Sequence, residues 1–340
     1  MNAADSPTPA ITMLRLLGGY QISQALFVAA RAGLADQLLD GPIPLAELAT
    51  ATGLRPGPLA RIVHALAGEG VFALDAGTGL VRLGPLGRTL ASGLPESVRN
   101  IALMWMDSHY RAFGELWGTA ETGRPAAEIA FGEPLFDWIG QDPARVRAFS
   151  AAMTDFARAI RHHSLDAVEL DGARTVVDVG GADGTVLAVL AERYPHLRGT
   201  VFDLPHVVTA APEVLRAHGV DDRITTAGGD FFVEVPPADS YLACFILHDW
   251  SDEKAGLILG NIHRAADATD ARLILVETVL DEGAAPEVAS LLDLTMLGVL
   301  TGRERTRPEW RDLLAASGFR LDRIRTTPGP MCVIEATRVP

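Results

Sequence analysis

Residues 174–184 constrain the fold of this chain more than any other stretch, because an apolar run ends there in an acid and a cluster of glycines. The valines of this run predict a buried strand, and the glycines after Asp178 predict a sharp turn. Residues 185–194 continue with the periodicity of a helix. A strand, a glycine turn and a helix in this order open a doubly wound α/β domain, in which ligands bind at the carboxyl ends of the strands.

The spacing of the glycines disfavours a nicotinamide dinucleotide as the ligand. The dinucleotide fingerprint requires glycine at 180, 182 and 185, whereas this chain has Gly180, Ala182 and Thr185. The pattern that is present, Asp-x-Gly-x-Ala-x-Gly, is similar to the cofactor loop of class I S-adenosylmethionine (SAM) methyltransferases. On this loop alone, another nucleotide-type ligand and a purely structural turn remain open.

Length and charge bound the rest of the interpretation. A chain of 340 residues is long enough for two domains, and its net charge of −14 disfavours nucleic acid and anionic membranes as partners. Cys244 and Cys332 are the only cysteines, so the sequence predicts neither a disulfide framework nor a zinc site. Without a signal peptide or an apolar span long enough for a membrane, we expect a cytoplasmic protein that binds no metal.

The N-terminal part, residues 1–96, predicts a helical domain of winged-helix layout. Three helices, at residues 11–39, 44–50 and 58–69, precede a hairpin with a glycine turn. DNA binding is disfavoured because the third helix carries only Arg61 and His64 as potentially positive residues. The apolar content of the first helical segment instead predicts a subunit interface, so we expect this domain to dimerise.

The second predicted domain, residues 97–340, begins with a helical segment at 97–170 that is rich in large apolar side chains. Core packing is the simpler interpretation of any one of them, but together they suit the wall of an apolar ligand pocket. The residues that we place in this predicted acceptor pocket are Trp105, His109, Phe113, Phe149, Met153 and Phe156.

From residue 174 onward, predicted strands and helices alternate. The strands fall at 174–179, 199–203, 223–227, 240–246 and 272–278, and the helices at 184–194, 205–218, 251–267, 286–299 and 307–317. Two further β segments, 320–326 and 331–337, flank a Pro-Gly-Pro turn. The sequence therefore predicts a mostly parallel sheet with an antiparallel edge.

Three acids follow successive predicted strands, namely Asp178, Asp203 and Asp230. A carboxylate at the end of the second strand is placed to accept hydrogen bonds from both hydroxyls of a ribose. Asp230 suits an adenine amino group, and Phe231 offers an apolar face for the ring. A single acid at a strand end can be a helix cap, but three beside a glycine loop favour an adenosyl ligand.

His248 lies at the end of the apolar strand that begins at Ser240. Its ordinary pKa, about 6.5, suits a base that takes a proton from a phenol, whose own pKa is about 10. A neutral core histidine is the alternative. Asp249 is a doubtful partner for the ring, since adjacent residues on a strand point to opposite faces.

Two glutamates are candidate partners of this histidine. Glu277 ends the next strand at the same rim, and Glu304 lies in Gly-Arg-Glu-Arg-Thr. A carboxylate that holds the imidazole would stabilise the imidazolium formed on proton transfer. Because arginines at 303, 305 and 307 surround Glu304, a surface ion pair is the competing interpretation.

The chain resembles the small-molecule O-methyltransferases, which include plant caffeate-type enzymes and bacterial enzymes that tailor aromatic natural products. The resemblance covers nearly the whole length, and its most specific motifs are Gly-Asp-Phe-Phe at 229–232 and His-Asp-Trp-Ser-Asp at 248–252. It implies a class I SAM-methyltransferase α/β fold, an N-terminal dimerisation domain, SAM as the cofactor and a homodimer.

The resemblance also implies site residues. His248 is the general base, flanked by Glu277 and Glu304, and Asp293 and Met296 join the acceptor pocket. The residues that bind SAM are Asp178, Gly180, Asp203, Leu204, Gly229, Asp230, Phe231, Cys244 and Trp250. The chain departs from the family at Ala182, where a glycine is usual, and at Cys244, where plant members have a lysine near the carboxylate of the cofactor.

The expected activity is methyl transfer from SAM to a hydroxyl of an aromatic small molecule. A histidine base favours a phenol, but an enol, a carboxylate and a nitrogen remain open as acceptors. Some family members instead use SAM structurally or electrostatically in hydroxylation, decarboxylation or cyclisation, and that is the main alternative. A ligand-sensing winged-helix regulator is a more distant one.

Overall fold

The computed structural model of the protein describes residues 8–156, 158, 162–266, 270–280 and 286–339. The helices of this part of the chain are α1 (Pro9–Leu17), α2 (Gly19–Ala32), α3 (Leu45–Thr52), α4 (Pro56–Gly68), α5 (Arg99–Asp107), α6 (His109–Phe113), α7 (Leu116–Thr122), α8 (Ala126–Phe131), α9 (Leu135–Gly140), α10 (Pro143–Phe156), α11 (His162–Leu165), α12 (Thr185–Arg193), α13 (Ala211–Ala217), α14 (Asp252–Ala265), α15 (Pro286–Val299) and α16 (Arg307–Ala316). The strands are β1 (Ile43–Pro44), β2 (Phe72–Leu74), β3 (Leu80–Leu83), β4 (Thr175–Val179), β5 (Arg198–Asp203), β6 (Ile224–Gly228), β7 (Ser240–Cys244), β8 (Arg272–Leu280), β9 (Arg305–Thr306), β10 (Phe319–Thr326) and β11 (Met331–Arg338).

The chain divides into two compact units. The first comprises Met1–Gly114 with Leu135–Ala159, and the second Glu115–Pro134 with Ile160–Pro340. Helices α5, α6, α9 and α10 therefore group with the N-terminal elements, because α5 packs on both α2 and α10. The boundary predicted after residue 96 separates a dimerisation domain from a catalytic domain. This functional division stays a prediction.

The first unit contains helices and a small antiparallel sheet in the order β1-β3-β2. The predicted hairpin is present as β2 and β3, and the two-residue strand β1 extends it. Leucines and valines of α3, α4 and the hairpin form a buried core, which includes Leu48, Leu59, Val63 and Val81. The apolar residues that recur at helical spacing in α3 and α4 are therefore the buried ones, as their periodicity predicts.

Helix α1 presents apolar side chains outward. Thr8 caps its N-terminus by accepting a hydrogen bond from Ile11 N, and none of its residues is buried. Leu14, Leu16 and Leu17 are each more than 60% exposed. A contiguous apolar surface of this kind marks an interaction site in a soluble protein.

The second unit is built on a sheet in the order β10-β11-β8-β7-β4-β5-β6, with β9 paired to β8. Strands β4 to β8 pair in parallel, whereas β11 runs antiparallel to both β8 and β10. The predicted mostly parallel sheet with an antiparallel edge is therefore confirmed. Strand order reverses direction between β4 and β7, and the carboxyl ends of these strands form the crevice where doubly wound folds bind ligands.

The predicted helix at 205–218 is shorter than expected. A single 3-10 turn occupies Val208–Ala210, and α13 starts only at Ala211, with Pro212 in its first turn. Proline lacks an N–H and fits the first turn of a helix but not its interior, so residues before Ala211 cannot continue the same α-helix.

Candidate active site

The glycine loop after β4 is bound to the neighbouring strand. Gly180 N and Gly181 N both donate to Phe202 O, at 2.8 and 3.2 Å. Gly180 has a φ of 75°, and a Cβ there would lie 2.4 Å from the Ile246 side chain. The carboxylate of Asp178 is buried against the loop. A Cβ on Gly181 would lie 2.7 Å from its Oδ2 atom. A residue other than glycine at position 180 would be strained by the positive φ and would have to displace the tip of the Ile246 side chain.

Asp203, at the end of β5, connects the loop with the next strand. Its Oδ2 accepts from Ala182 N at 2.9 Å, and its Oδ1 accepts from Leu204 N at 2.7 Å. Burial raises the pKa of this carboxyl above its usual range. Ala182 adopts a φ of 47°, a conformation that favours glycine, so the methyl group that departs from the family pattern strains the loop rather than blocking it.

An aromatic cluster follows β6. The rings of Phe231 and Phe232 lie edge to face with centroids 4.9 Å apart, and Trp250 packs 4.8 Å from Phe232. Asp230, which is exposed, accepts from Phe232 N at 2.8 Å and so fixes the turn that carries these rings. A Cβ on Gly229 would lie 2.5 Å from the ring of Phe202, which requires glycine at that position.

These residues fit an adenosyl cofactor. A glycine loop without side chains, an acid at the end of β5 and an aromatic cluster beside Asp230 all lie at the carboxyl edge of one sheet. Cys244, the last residue of β7, is buried, and its thiol supplies no positive charge to this edge of the sheet. The edge therefore has a glycine loop and hydrogen-bond acceptors that suit a nucleoside.

His248 lies on a 3-10 turn, Leu247–Asp249, directly after β7. Its ring is buried, with Nδ1 2.8 Å from Glu304 Oε1. The ring of Phe245, whose φ of 58° is unusual for a bulky residue, packs 4.3 Å from it. The predicted neighbours of His248 are thus brought together by a strained turn rather than by the strand itself.

Asp249 also contacts the imidazole, contrary to the expectation from strand alternation. Its Oδ1 lies 3.3 Å from His248 Nε2. The expectation was wrong because β7 ends at Cys244, and residues in a 3-10 turn do not alternate between faces.

Glu277, in β8, holds the main chain that leads into this turn. Its Oε1 accepts from Ile246 N at 3.1 Å and from Leu247 N at 2.8 Å. Burial raises the pKa of Glu277 to about 7. The Oε2 atoms of Glu277 and Glu304 are buried and accept no hydrogen bond from any residue that the structure describes.

The charge around His248 favours its protonated form. Burial opposes the imidazolium, but the carboxylates of Asp249, Glu304 and Glu277 outweigh this effect and raise the pKa of His248 to about 10. A histidine in this setting is a stronger base than a free imidazole, and it carries a proton at neutral pH.

The segment around Glu304 is not a surface ion-pair cluster as a whole. Arg303 does form exposed ion pairs, with Asp252 at 2.9 Å and Glu309 at 2.6 Å, whereas Arg305 is completely buried. Glu304 itself is buried, and its N–H donates to Asp293 Oδ1 at 2.9 Å. The sequence interpretation missed Arg305, since a run of arginines gives no sign of which one is buried.

The predicted acceptor-pocket residues fall in both units. Asp293 and Met296 lie on α15 in the second unit. In the first unit, Trp105 stacks on His109 with centroids 5.6 Å apart, and burial lowers the pKa of His109 to about 4. A cavity of about 90 Å³ between α5, α9 and α10 is lined by Phe149 but by none of Trp105, His109, Phe113, Met153 and Phe156.

Two kinds of feature are absent from the residues that the structure describes. Among those residues, no group of three or more His, Cys, Asp or Glu side chains has a geometry that could hold a metal ion. No helix within the same ranges combines the length and hydropathy needed to cross a membrane.

Two family models match the chain in sequence. Residues 14–93 match the O-methyltransferase dimerisation domain, and residues 113–320 match the O-methyltransferase domain.

Curated relatives match over nearly the whole length. The chain is 39% identical over 325 residues to a phenazine O-methyltransferase of Lysobacter antibioticus, covering 95% of each protein. It is 36% identical over 341 residues to an aclacinomycin 10-hydroxylase of Streptomyces purpurascens, covering 96% of this chain and 90% of that one.

Solved structures share the fold. A methyltransferase of calicheamicin biosynthesis in its SAH-bound form has a TM-score of 0.86 and 32% identity, covering 100% of this chain and 99% of that one. An O-methyltransferase of neocarzinostatin biosynthesis, in complex with SAM and 2-hydroxy-5-methyl naphthoic acid, has a TM-score of 0.78 and 27% identity, covering 93% of this chain and 96% of that one.

Proposed function

We propose, from the premise that this chain belongs to the family of SAM-dependent O-methyltransferases, that it methylates a phenolic hydroxyl of an aromatic natural-product precursor, with His248 as the general base. The chain is an enzyme whose cofactor is SAM, and its relatives act in natural-product biosynthesis. The observation that carries the finer proposal is the buried pair of His248 Nδ1 and Glu304 Oε1 at the carboxyl edge of the sheet.

Residues of the glycine loop and the strand ends would hold the cofactor. Asp203 is the acceptor for the ribose hydroxyls, Gly180 and Gly229 admit the nucleoside, and Phe231 and Trp250 flank its base. Asp178, Leu204, Asp230 and Cys244 complete the proposed binding set. When bound, SAM supplies an electrophilic methyl group, so the protein has to orient the acceptor, remove its proton and exclude water.

His248 is suited to the proton transfer in its neutral form, whose fraction rises as the pH approaches the pKa of about 10. Glu304 holds Nδ1, which leaves Nε2 as the atom that takes the proton of the acceptor hydroxyl. The Asp249 oxygen near Nε2 is 3.3 Å away, longer than a typical charged hydrogen bond, so an incoming hydroxyl can replace it. The raised pKa of His248 brings it closer to that of a phenol, about 10, and this makes removal of the phenol proton less unfavourable than it would be with a free imidazole.

The class of acceptor is supported by the relatives. An O-methyltransferase that is 27% identical was solved with an aromatic hydroxy acid, and a 39% identical relative is a phenazine O-methyltransferase. The acceptor residues predicted from the sequence stay a prediction; they are Trp105, His109, Phe113, Phe149, Met153, Phe156, Asp293 and Met296. Burial keeps His109 neutral at pH 7, so it would contact the acceptor as an uncharged ring.

A second candidate function is supported by one specific relative. The aclacinomycin 10-hydroxylase is 36% identical over 96% of this chain, so family membership does not by itself fix methyl transfer. The buried His248–Glu304 pair favours methyl transfer, because hydroxyl methylation needs a base at the acceptor oxygen.

The homodimer is also part of this proposal. The matched dimerisation domain covers residues 14–93. Helix α1, whose last four residues belong to this range, carries exposed apolar side chains. We place the enzyme in the cytoplasm, because Cys244 and Cys332 are buried and form no disulfide.

The test combines cofactor binding with an acceptor screen. We expect calorimetry to show SAM and S-adenosylhomocysteine binding to the wild type, and we expect Asp203→Ala to abolish it. Asp203→Asn, which keeps one oxygen acceptor, should bind more weakly than the wild type. With methyl-labelled SAM and a panel of phenols, His248→Gln should lose about 100-fold or more in turnover while binding SAM normally. Unchanged turnover in His248→Gln would refute the base, and hydroxylated products without labelled methyl would favour the second candidate.

A further inference from the structure

Arg305 directly follows Glu304 and is the one arginine of its segment without solvent exposure. Its side chain is 0% exposed, against 43% for that of Arg303 two residues earlier. Burying a guanidinium is costly and is not in itself a source of stability, because an apolar side chain of similar volume often serves the fold as well. A buried arginine at this position therefore calls for an account of what its donors hold.

The donors of Arg305 hold the main chain on both sides of His248. Nη1 donates to Leu247 O and Nη2 to Trp250 O, each at 2.9 Å. Nε donates to Asp252 Oδ1 at 2.8 Å, at the start of α14. The planar fork of arginine fits two carbonyls and a carboxylate at once, which the single ammonium of lysine cannot do.

The main chain of the same residue is tied to the strand that carries Glu277. Arg305 pairs with Val279 in the short parallel ladder between β9 and β8. The guanidinium also lies over the Trp310 ring, 5.2 Å from its centroid, which fixes the side chain from the other side. One residue thus connects the strand of Glu277, the turn of His248 and the segment of Glu304.

Gly302 gives independent evidence that this segment and the turn are closely fitted. A Cβ on Gly302 would lie 1.8 Å from His248 O and 2.6 Å from Trp250 N. The backbone of residue 302 therefore lies directly against the backbone of the turn, and no side chain fits between them.

We propose that Arg305 is a positioning residue of the methyl transfer, which holds the 247–250 main chain so that His248 Nδ1 stays on the Glu304 carboxylate. This inference rests on the proposed function only where turnover is concerned. Charged groups that face the imidazole are Asp249 on its own turn, Glu277 from β8 and Glu304 from the segment of Arg305. Arg305 acts on none of the reacting atoms and works through the main chain of the turn.

The test measures the histidine pair directly as well as turnover. Protein labelled with 15N-histidine is prepared as wild type, Arg305→Met and Arg305→Lys, and the downfield imidazole proton of His248 is assigned by its loss in His248→Gln. Glu304→Gln gives the signal expected when the pair is broken. Arg223→Met is the matched control, since Arg223 also donates to a main-chain carbonyl, Ala191 O at 3.0 Å, and to a neighbouring aspartate.

We expect Arg305→Met to lose the hydrogen-bonded imidazole signal and about 100-fold in kcat, with SAM affinity and acceptor KM close to those of the wild type. The acid limb of kcat against pH should move to lower pH, because a loosened Glu304 no longer raises the pKa of His248. Arg305→Lys should be intermediate in both readouts, and Arg223→Met should match the wild type. Gly302→Ala should repeat the loss of signal while keeping Arg305, which covers the case that Arg305→Met fails to fold.

An intact imidazole signal in folded Arg305→Met and in Gly302→Ala would overturn the proposal. So would a loss of kcat that arises without any change in the pH profile or in the imidazole signal. If no acceptor is methylated by the wild type, the proposed function fails, but the imidazole signal still decides whether Arg305 positions the pair.

Discussion

At the residue scale, the candidate active site has three carboxyl groups around a single buried imidazole, that of His248. Asp249, Glu277 and Glu304 all raise the affinity of His248 for a proton, and burial, together with the charge of Glu304, raises that of Glu277. In the unfolded chain these groups would be a free histidine and free acids. The folded site therefore binds more protons than the unfolded chain over much of the neutral and alkaline range.

The first prediction concerns stability against pH. The pKa of His248 is raised from 6.5 to about 10, so its contribution to stability is present below pH 6.5 and is lost as the pH rises toward 10. We expect the urea midpoint of the cofactor-free protein to fall between pH 6.5 and 9.5, and His248→Gln to flatten this fall. Below pH 6.5 the lowered pKa of His109 acts in the opposite direction, so the comparison is confined to the alkaline side.

The control for this experiment is His64→Gln, which changes an exposed histidine on α4. It should leave the slope of stability against pH unchanged. A His248→Gln slope equal to that of the wild type would mean that His248 keeps an ordinary proton affinity in the fold.

The second prediction concerns Ala182 in the cofactor loop. An alanine with a φ of 47° is strained by about 1–2 kcal/mol in the folded protein. Glycine there would remove this strain, but it would lower the free energy of unfolding by about 0.4–1 kcal/mol because the unfolded chain gains conformational entropy. Ala182→Gly should therefore stabilise the protein by roughly 0.5–1 kcal/mol in urea unfolding while retaining the hydrogen bond to Asp203. Ala217→Gly, at an exposed helical position of α13, should destabilise it, and equal signs for the two changes would contradict the strain at residue 182.

At the element scale, the sequence predicts buried parallel strands well and contacts between loops poorly. Strands β4, β5, β7 and β8 start within one residue of their predicted positions, because each contains an apolar run that is buried in the sheet. The segment 302–305 has no such pattern. Whether Arg303 or Arg305 is buried depends on carbonyls of a turn more than 50 residues earlier, which no local periodicity encodes.

The third prediction concerns helix α1 as a subunit interface. Leu14 and Leu17 are 63% and 66% exposed, and transfer of such side chains out of water favours association. The double variant Leu14→Glu/Leu17→Glu should therefore convert a dimer into a monomer in sedimentation velocity, with an unchanged circular dichroism spectrum.

Leu257→Glu is the matched control, since Leu257 on α14 is 47% exposed but lies outside the dimerisation domain. It should leave the dimer intact. A dimer that persists in the double variant would place the interface elsewhere on the chain.

At the scale of the whole molecule, fold and cofactor follow from the sequence more directly than the acceptor does. The acids and glycines of the second unit recur at strand ends, where the chemistry of a nucleoside site requires them. The predicted acceptor residues are instead ordinary apolar side chains in both units, and Phe156 is as buried as a core residue. Composition cannot separate the wall of a pocket from a core, so the identity of the acceptor is a question for the screen.

For protein engineering, the contact of Gly180 with Ile246 has a practical consequence. The cofactor loop and the turn that carries the base share this contact, and Ile246 N is also one of the two donors to Glu277. Any side chain introduced at residue 180, in a library aimed at other sulfonium donors, would push on Ile246, which lies two positions before His248. Donor scope and base geometry therefore have to be redesigned together, with Ile246 varied alongside residue 180, rather than selected in separate rounds.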